Sequence, residues 1–376
     1  MKVAAPKAIL AGERRVALIP ETCTKLKKAG LELLIERGAG AESGYADAAY
    51  EAVGATIVDD ARLYAEADVI AFPNAPTYEQ IMKFRRGVIV MAVINPLSNH
   101  DLVRQLATAG VTSMAMDLMP RITRAQKMDV LSSMSTVSGY KAVLMAAAAL
   151  PKMFPLLMTA AGTITPARVL ILGAGVAGLQ AIATAKRLGA VVEAFDVRPV
   201  VKEQVESLGA KFVEVPVEAK DAQDAGGYAK EMSEDYKKKQ MELVAKHAAA
   251  SDVVISTALI PGRKAPILIT AETVRNMHPG SIVIDLASEA GGNCELTKHG
   301  ETVIDNGVQV MGPANLPSSI PVNASQMFSR NVGAFLLDLT KEGVITLNPE
   351  DECVTGTMVT KDGQVVHARV KETMGA

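Results

Sequence analysis

Between Arg168 and Asp196 the chain carries an arrangement that few folds accommodate: an apolar strand, a glycine-patterned turn, a helix, and a second strand ending in an acid. Arg168-Val169-Leu170-Ile171-Leu172 reads as a buried strand and runs straight into Gly173-Ala174-Gly175-Val176-Ala177-Gly178. In such a unit the first glycine makes the tight turn and the second lets a pyrophosphate approach the backbone. The third lets the helix pack close to the strand. The helix has Leu179, Ile182 and Ala183 on one face and Lys186 and Arg187 near its end, with Gly189 placed to cap it. Its dipole and free amides favour phosphate, so Val176 and Ala177 join Gly173, Gly175 and Gly178 in the candidate nucleotide site. The next strand ends in Phe195-Asp196. A carboxylate there accepts both ribose hydroxyls and repels a 2′-phosphate, which predicts NAD(H) over NADP(H). Val197 and Arg198 follow and are assigned to the same site, and the charge of Arg198 would blunt that repulsion. The alternative is a glycine-rich turn that binds nothing; strand, motif, helix and acid in register weigh against it.

The length of 376 residues predicts two domains. Short β-branched runs alternate with helical patterns, the signature of α/β architecture with a mostly parallel sheet. Strands are predicted over 31–35, 56–58, 68–72, 88–94 and 111–115, with helices over 21–29 and 101–109. A second set, over 168–172, 191–196, 211–215, 252–256, 281–285 and 308–311, matches a complete doubly wound domain. Long helical patterns over 135–150 and after Pro321 flank it. The expected fold is therefore α/β, with two Rossmann-like domains on parallel sheets, linked by two long helices with a cleft between them. The first domain would be discontinuous, 1–134 plus 325–376, and the nucleotide-binding domain 135–324. With aromatics at 4% and no tryptophan, the core must come from aliphatic residues and the 18 methionines.

Composition also excludes. A net charge of −2 with both signs dispersed argues against nucleic acid. Cys23, Cys294 and Cys353 show no metal or disulfide spacing, and the five histidines show no metal spacing, so no metal and a reducing, cytoplasmic setting are expected. The N-terminus lacks a signal-peptide core. The most apolar stretch, 142–167, is broken by Pro151, Lys152, Pro155 and Pro166, so no membrane span is expected.

Several longer segments are similar to the NAD(H)-binding α1 subunit (domain I) of proton-translocating NAD(P) transhydrogenases, a family related to alanine dehydrogenase. They are Gly12-Glu13-Arg14-Arg15-Val16-Ala17-Leu18-Ile19-Pro20-Glu21, Met119-Pro120-Arg121-Ile122-Thr123-Arg124-Ala125-Gln126-Lys127-Met128-Asp129, and Gly226-Gly227-Tyr228-Ala229-Lys230-Glu231-Met232. Thr257-Ala258-Leu259-Ile260-Pro261-Gly262 and Ala290-Gly291-Gly292-Asn293-Cys294 extend the likeness nearly end to end.

Chemistry separates the two relatives. Reducing an imino or keto acid needs a proton donor and a cation for the carboxylate. Alanine dehydrogenases place a lysine and a histidine there. The matching stretches here, Ile70-Ala71-Phe72-Pro73-Asn74 and Val93-Ile94-Asn95-Pro96-Leu97, contain neither. The aspartate before the paired glycines becomes Glu289, and only Arg15 is retained. Hydride transfer between two nicotinamides forms no oxyanion; it needs positioned rings and excluded water.

The resemblance implies that Arg121, Gln126, Asp129 and Ser132 surround the nicotinamide. Arg121 would contact phosphates or amide and could pair with Asp129. Asp129 and Ser132 would orient the carboxamide, and Gln126 would reach NADP(H) on a partner. A polar loop capping a helix, with Asp129 or Ser132 serving the backbone, is the alternative. Tyr228, behind the Gly226-Gly227 hinge, would belong to a lid over NAD(H), with a solvated loop as the alternative. Ala258 and Leu259 are also assigned to the nucleotide site. The resemblance further implies a homodimer, peripheral on the inner face of the cell membrane through a membrane-spanning α2 subunit and an NADP(H)-binding β subunit. An alanine dehydrogenase-like amino-acid dehydrogenase and a non-catalytic NAD(H) sensor remain the other readings.

Overall fold

The computed structural model describes residues 1–215, 234–259 and 262–375. They form two compact units, Met1–Met134 with Pro317–Ala376, and Ser135–Leu316.

The first unit is built on six parallel strands: β1 (Lys2–Ala5), β2 (Glu32–Glu36), β3 (Thr56–Val58), β4 (Val69–Ala71), β5 (Ile89–Ala92) and β6 (Thr112–Ala115). Their spatial order is β3-β2-β1-β4-β5-β6, so the winding reverses between β1 and β4. The tail of the chain returns to this sheet, laying the antiparallel pair Met358–Lys361 and Gln364–Val365 along the β6 edge with Met358 opposite Met114. Sequence pattern conceals β1. Two of its four residues are alanine, a poor strand former. Yet Val3, Ala4 and Ala5 are fully buried, because the strand lies between β2 and β4 with Val3 opposite both Leu33 and Val69.

The second unit contains a small antiparallel hairpin, β7 (Leu157–Thr159) and β8 (Gly162–Ile164). Its main sheet contains β9 (Arg168–Leu172), β10 (Val191–Phe195), β11 (Lys211–Val213), β12 (Val253–Ser256), β13 (Ile282–Asp285), β14 (Thr302–Asp305) and β15 (Val308–Met311), in the order β11-β10-β9-β12-β13-β15-β14. All six predicted strands are present and parallel; β14 is an added antiparallel edge. The turn that joins it to β15 is Asn306-Gly307, with φ of +49° and +76°, a strong hairpin signal that periodicity alone passes over.

Parallel strands buried on both faces read as unbroken apolar runs, and alternate side chains go to opposite faces. Val169 and Ile171 of β9 accordingly pack with Ala142, Val143, Ala146, Ala181 and Ile182, while Leu170 and Leu172 pack with Val244, Ala248 and Val274. Each valine, leucine or isoleucine among them contributes about 1.5–3 kcal/mol on burial.

The helix Val130–Ala149 carries the chain into the second unit and begins five residues before the predicted start. Small residues let it lie against the helix Val176–Arg187. A Cβ at Gly139 would stand 2.1 Å from the Ala177 carbonyl oxygen, so here backbone meets backbone. That contact seats the start of the glycine-motif helix.

Candidate functional site

In an open α/β sheet, ligands sit beyond the carboxyl ends of the strands where the winding reverses. In the second unit that point lies between β9 and β12, and Gly173 and Thr257 follow those strands directly. Gly173 has φ +96°, and a Cβ on it would fall 2.6 Å from Thr257 Oγ1. A Cβ on Gly178 would lie 1.8 Å from the Gly173 carbonyl oxygen. The fold itself demands these two glycines. Gly175 differs. Its φ of −77° and ψ of −167° suit any residue, and a Cβ there would meet nothing within 4 Å. Packing gives no reason for a glycine, whereas close approach of a pyrophosphate does. The helix Val176–Arg187 starts with Gly175 as an N-cap lacking a side-chain acceptor, and first-turn amides have no intrahelical partner. Val176, apolar yet 42% exposed, stands at that opening. These residues fit a dinucleotide phosphate cradle.

Asp196 ends the neighbouring strand and is buried. Its Oδ2 accepts from the Ala174 amide at 2.8 Å, tying the acid to the glycine turn. The rest of its capacity goes to Arg198. Oδ1 accepts from the Arg198 amide and Nε, both at 2.9 Å, and Oδ2 from Nη2 at 2.7 Å. The Asp196 carboxylate in turn holds the Arg198 guanidinium above its ordinary pKa. Val197, between them, packs part-buried against the core.

Ala258 is held on both sides by one side chain. Asn293 Oδ1 accepts from the Ala258 amide at 3.0 Å, and Nδ2 donates to the Ala258 carbonyl at 2.9 Å and to the Pro266 carbonyl at 2.8 Å. Asn293 is itself fixed by the fully buried Asp285. That carboxylate accepts from the Ala287, Asn293 and Cys294 amides and from Thr297 Oγ1, at 2.9, 2.6, 3.0 and 2.7 Å. Leu259 is exposed. Tyr228, with Gly226 and Gly227, lies outside the described residues.

In the first unit, the predicted loop is anchored rather than loose. Ala125 and Met128 are buried, and Arg124 reaches Asp338 at 3.2 Å, Cys353 Sγ at 3.3 Å, and Asp351. Arg124 holds the Asp351 carboxyl below the usual carboxylate range. Asn331 Nδ2 secures the Lys127 carbonyl at 2.9 Å. Arg121 and Gln126 are exposed on this loop. Asp129 and Ser132 are brought together. Asp129 Oδ1 accepts from the Ser132 amide at 2.9 Å and Oδ2 from the Ser132 hydroxyl at 2.6 Å, an N-cap for the helix Val130–Ala149. The cap that sequence offered as the alternative role is thus present. An Asp129→Ala change is expected to remove about 1 kcal/mol of capping. Amide exchange in the first turn of that helix should speed up roughly fivefold; unchanged exchange would show that the cap is not what holds the turn.

The first unit has its own winding reversal, between β1 and β4. There the Arg15 guanidinium is buried against Glu13, with Nε to Oε1 at 2.8 Å and Nη2 to Oε2 at 2.6 Å, and it donates to Asn74 Oδ1 at 2.8 Å. The Asn74 amide returns to Glu13, and Ser318 Oγ donates to Glu13 at 3.1 Å. The cavity lined by Pro6, Lys7, Glu13, Phe72 and Asn74 measures about 20 Å³, the space of about one water. Asn95, φ +49°, is held by Asp117, whose Oδ1 and Oδ2 accept from the Ile94 and Asn95 amides at 2.9 and 3.1 Å. Burial pushes the Asp117 carboxyl up, and those two amides pull the other way. His100 contacts the Leu97 carbonyl and Thr373 Oγ1, each at 3.2 Å.

Sequence reasoning missed the groups that act through others. Asp285 and Asn293 lie 27 and 35 residues from Ala258 in the chain, and Asp351 lies 227 from Arg124; no local pattern announces such partners. The paired glycines before Asn293 were the only hint.

Residues 4–138 match the family described as alanine dehydrogenase/PNT, N-terminal domain, and residues 142–368 its C-terminal domain. The first portion of NAD(P) transhydrogenase subunit alpha from Rhodospirillum rubrum is 49% identical over 376 residues, covering 98% of this chain and 98% of the relative. Alanine dehydrogenase of Bacillus subtilis is 27% identical over 387 residues, covering 100% and 95%. The crystal structure of transhydrogenase from Sinorhizobium meliloti superimposes with a TM-score of 0.86 at 42% identity, covering 98% of this chain and 99% of that one.

Proposed function

Because this chain belongs to the alanine dehydrogenase/PNT family, and shares far more sequence with transhydrogenase alpha subunits than with alanine dehydrogenase, we propose that it holds NAD(H) and exchanges hydride with NADP(H) on a partner subunit. Bound NADH supplies the hydride and bound NAD⁺ accepts one. The chain's own residues bind, orient and exclude water. Gly173, Gly175 and Gly178, with the amides of Val176 and Ala177, cradle the pyrophosphate. Asp196, with Val197 and Arg198 beside it, receives the adenosine ribose. Ala258 and Leu259 border the nucleotide, and Tyr228 serves the lid. Arg121, Asp129 and Ser132 orient the nicotinamide, and Gln126 reaches toward the partner's NADP(H).

One observation carries the choice between exchange and oxo-acid reduction. Arg15, the group that could bind a substrate carboxylate, is already neutralised by Glu13 and bonded to Asn74 beside a cavity of about 20 Å³. The stretches Ile70-Ala71-Phe72-Pro73-Asn74 and Val93-Ile94-Asn95-Pro96-Leu97, matched above to those where alanine dehydrogenases carry lysine and histidine, contain neither, and the amides of Asn74 and Asn95 do not donate a proton to a developing alkoxide or amine. Two nicotinamides exchanging hydride need no such donor.

The remaining assembly follows from the same reading. The chain acts as a homodimer, a view supported by the exposed apolar hairpin β7–β8, where Met158 is 77% exposed. It joins a membrane-spanning α2 subunit and an NADP(H)-binding β subunit, is peripheral on the inner face of the membrane, and is active in proton-coupled transhydrogenation only with those partners. No helix among the described residues is long and apolar enough to cross a membrane.

The test uses NADH deuterated at the transferred position and unlabelled NADP⁺, mixed with this chain and its NADP(H)-binding partner. Deuterium is expected in NADPH by mass spectrometry with the pair, and in neither protein alone. An assembled pair that binds both nucleotides and moves no label overturns the proposal. So does steady NADH oxidation by this chain with pyruvate and ammonia.

A further inference from the structure

A carboxylate offers two oxygens and about four lone-pair positions to donors. At Asp196 the protein fills all of them: the Ala174 amide, the Arg198 amide, and two arms of the Arg198 guanidinium, at distances from 2.7 to 2.9 Å. The pair is sheltered, with side-chain exposures of 16% for Arg198 and 5% for Asp196. An acid in this state cannot also accept two ribose hydroxyls. The two backbone amides are fixed by the turn, since Ala174 lies inside the glycine motif and Arg198 only two residues beyond the acid. The guanidinium is the one donor that can leave.

Resting on the nucleotide site proposed above, we infer that Arg198 is a latch on Asp196 that a ribose diol must displace, and that it sets how strongly NADH is preferred over NADPH. Two opposed consequences follow. In the free protein the guanidinium competes with the diol and weakens NADH. Once displaced, it is tethered two residues from Asp196 and remains within side-chain reach of the group that Asp196 holds. A cation there attracts a 2′-phosphate that the bare carboxylate would repel. Arg198 thus lowers affinity for the right nucleotide and raises it for the wrong one. A site that must exchange NAD⁺ and NADH at each turnover is served by the first effect, because tight product binding limits rate.

The experiment is equilibrium titration of the full chain with NADH and with NADPH, read by calorimetry, for wild type, Arg198→Ala and Arg198→Lys. Removing a charge-assisted competitor on the part-exposed side chain should tighten NADH about three- to tenfold in Arg198→Ala, with NADPH weakened by about the same factor. Arg198→Lys keeps the charge without the planar fork. It should tighten NADH while leaving NADPH within about twofold of wild type. Far-ultraviolet circular dichroism and thermal unfolding establish that each variant is folded; Arg198→Gln replaces Arg198→Ala if the latter is not. If wild type binds NADH and the folded variants bind it equally or more weakly, the latch is overturned while the nucleotide site stands. If wild type binds neither nucleotide, the site itself fails. An unchanged NADH-to-NADPH ratio in Arg198→Ala also overturns the inference.

Discussion

Gly175→Val is expected to weaken NADH binding about 100-fold while leaving the protein folded, a steric cost of about 2.7 kcal/mol falling on the complex alone. The backbone at Gly175 is ordinary for a valine, and its Cβ would project into open space. The free protein loses at most about 1 kcal/mol, from a poorer N-cap residue. Gly178→Ala supplies the contrast. Its methyl would sit 1.8 Å from the Gly173 carbonyl oxygen, so strand and helix must part, with a loss of about 3 kcal/mol or more from overpacking. Calorimetric titration with NADH and denaturant unfolding separate the two variants. Wild-type affinity in Gly175→Val would mean that no pyrophosphate approaches this turn.

Asp285→Ala is expected to cost the most stability of any single change at the site, on the order of 3–6 kcal/mol. Asp285 is fully buried and accepts from three backbone amides and one hydroxyl, and each buried donor left without a partner costs about 1–3 kcal/mol. That is a large fraction of the roughly 5–15 kcal/mol typical of a folded domain. Asp285→Asn keeps one acceptor oxygen and should lose less. Loss of Asp285 also frees Asn293, and with it both backbone groups of Ala258, so NADH affinity should fall along with stability. Denaturant unfolding checks the first effect; a loss under about 1 kcal/mol would show that the Gly291–Gly292 turn is held by something else.

The two large effects differ in how visible their residues are from sequence. Gly175 is legible because its meaning is local: a strand with four consecutive apolar residues, three glycines at fixed spacing and an acid one strand later are all read within thirty residues. The six strands of the second unit were equally legible, since a strand buried on both faces must be apolar throughout. β1 was not, because two alanines carry no strand signal until neighbours on both sides enclose them. β14 is signalled only by the Asn306-Gly307 turn, because a half-exposed edge strand lacks the unbroken apolar run of its neighbours. The loop residues stand between these cases. Resemblance singled out Asp129 and Ser132, and geometry shows what they do in the free chain, which is to cap a helix with each other.

Sequence by itself determined the α/β class and the position of the strand, glycine turn and helix that precede Asp196, because each is written in residues close together along the chain. Only the tertiary structure decided that Asp285 governs Ala258 through Asn293. It alone decided that Arg15 is neutralised by Glu13 and tied to Asn74, 59 residues away. The physical reason is that periodicity and turn chemistry act over a few residues, whereas a side chain's hydrogen-bond partners are fixed only when folding brings distant segments to the same strand ends. Which lone pairs are already taken is a property of that meeting, and it decides what each site can still bind.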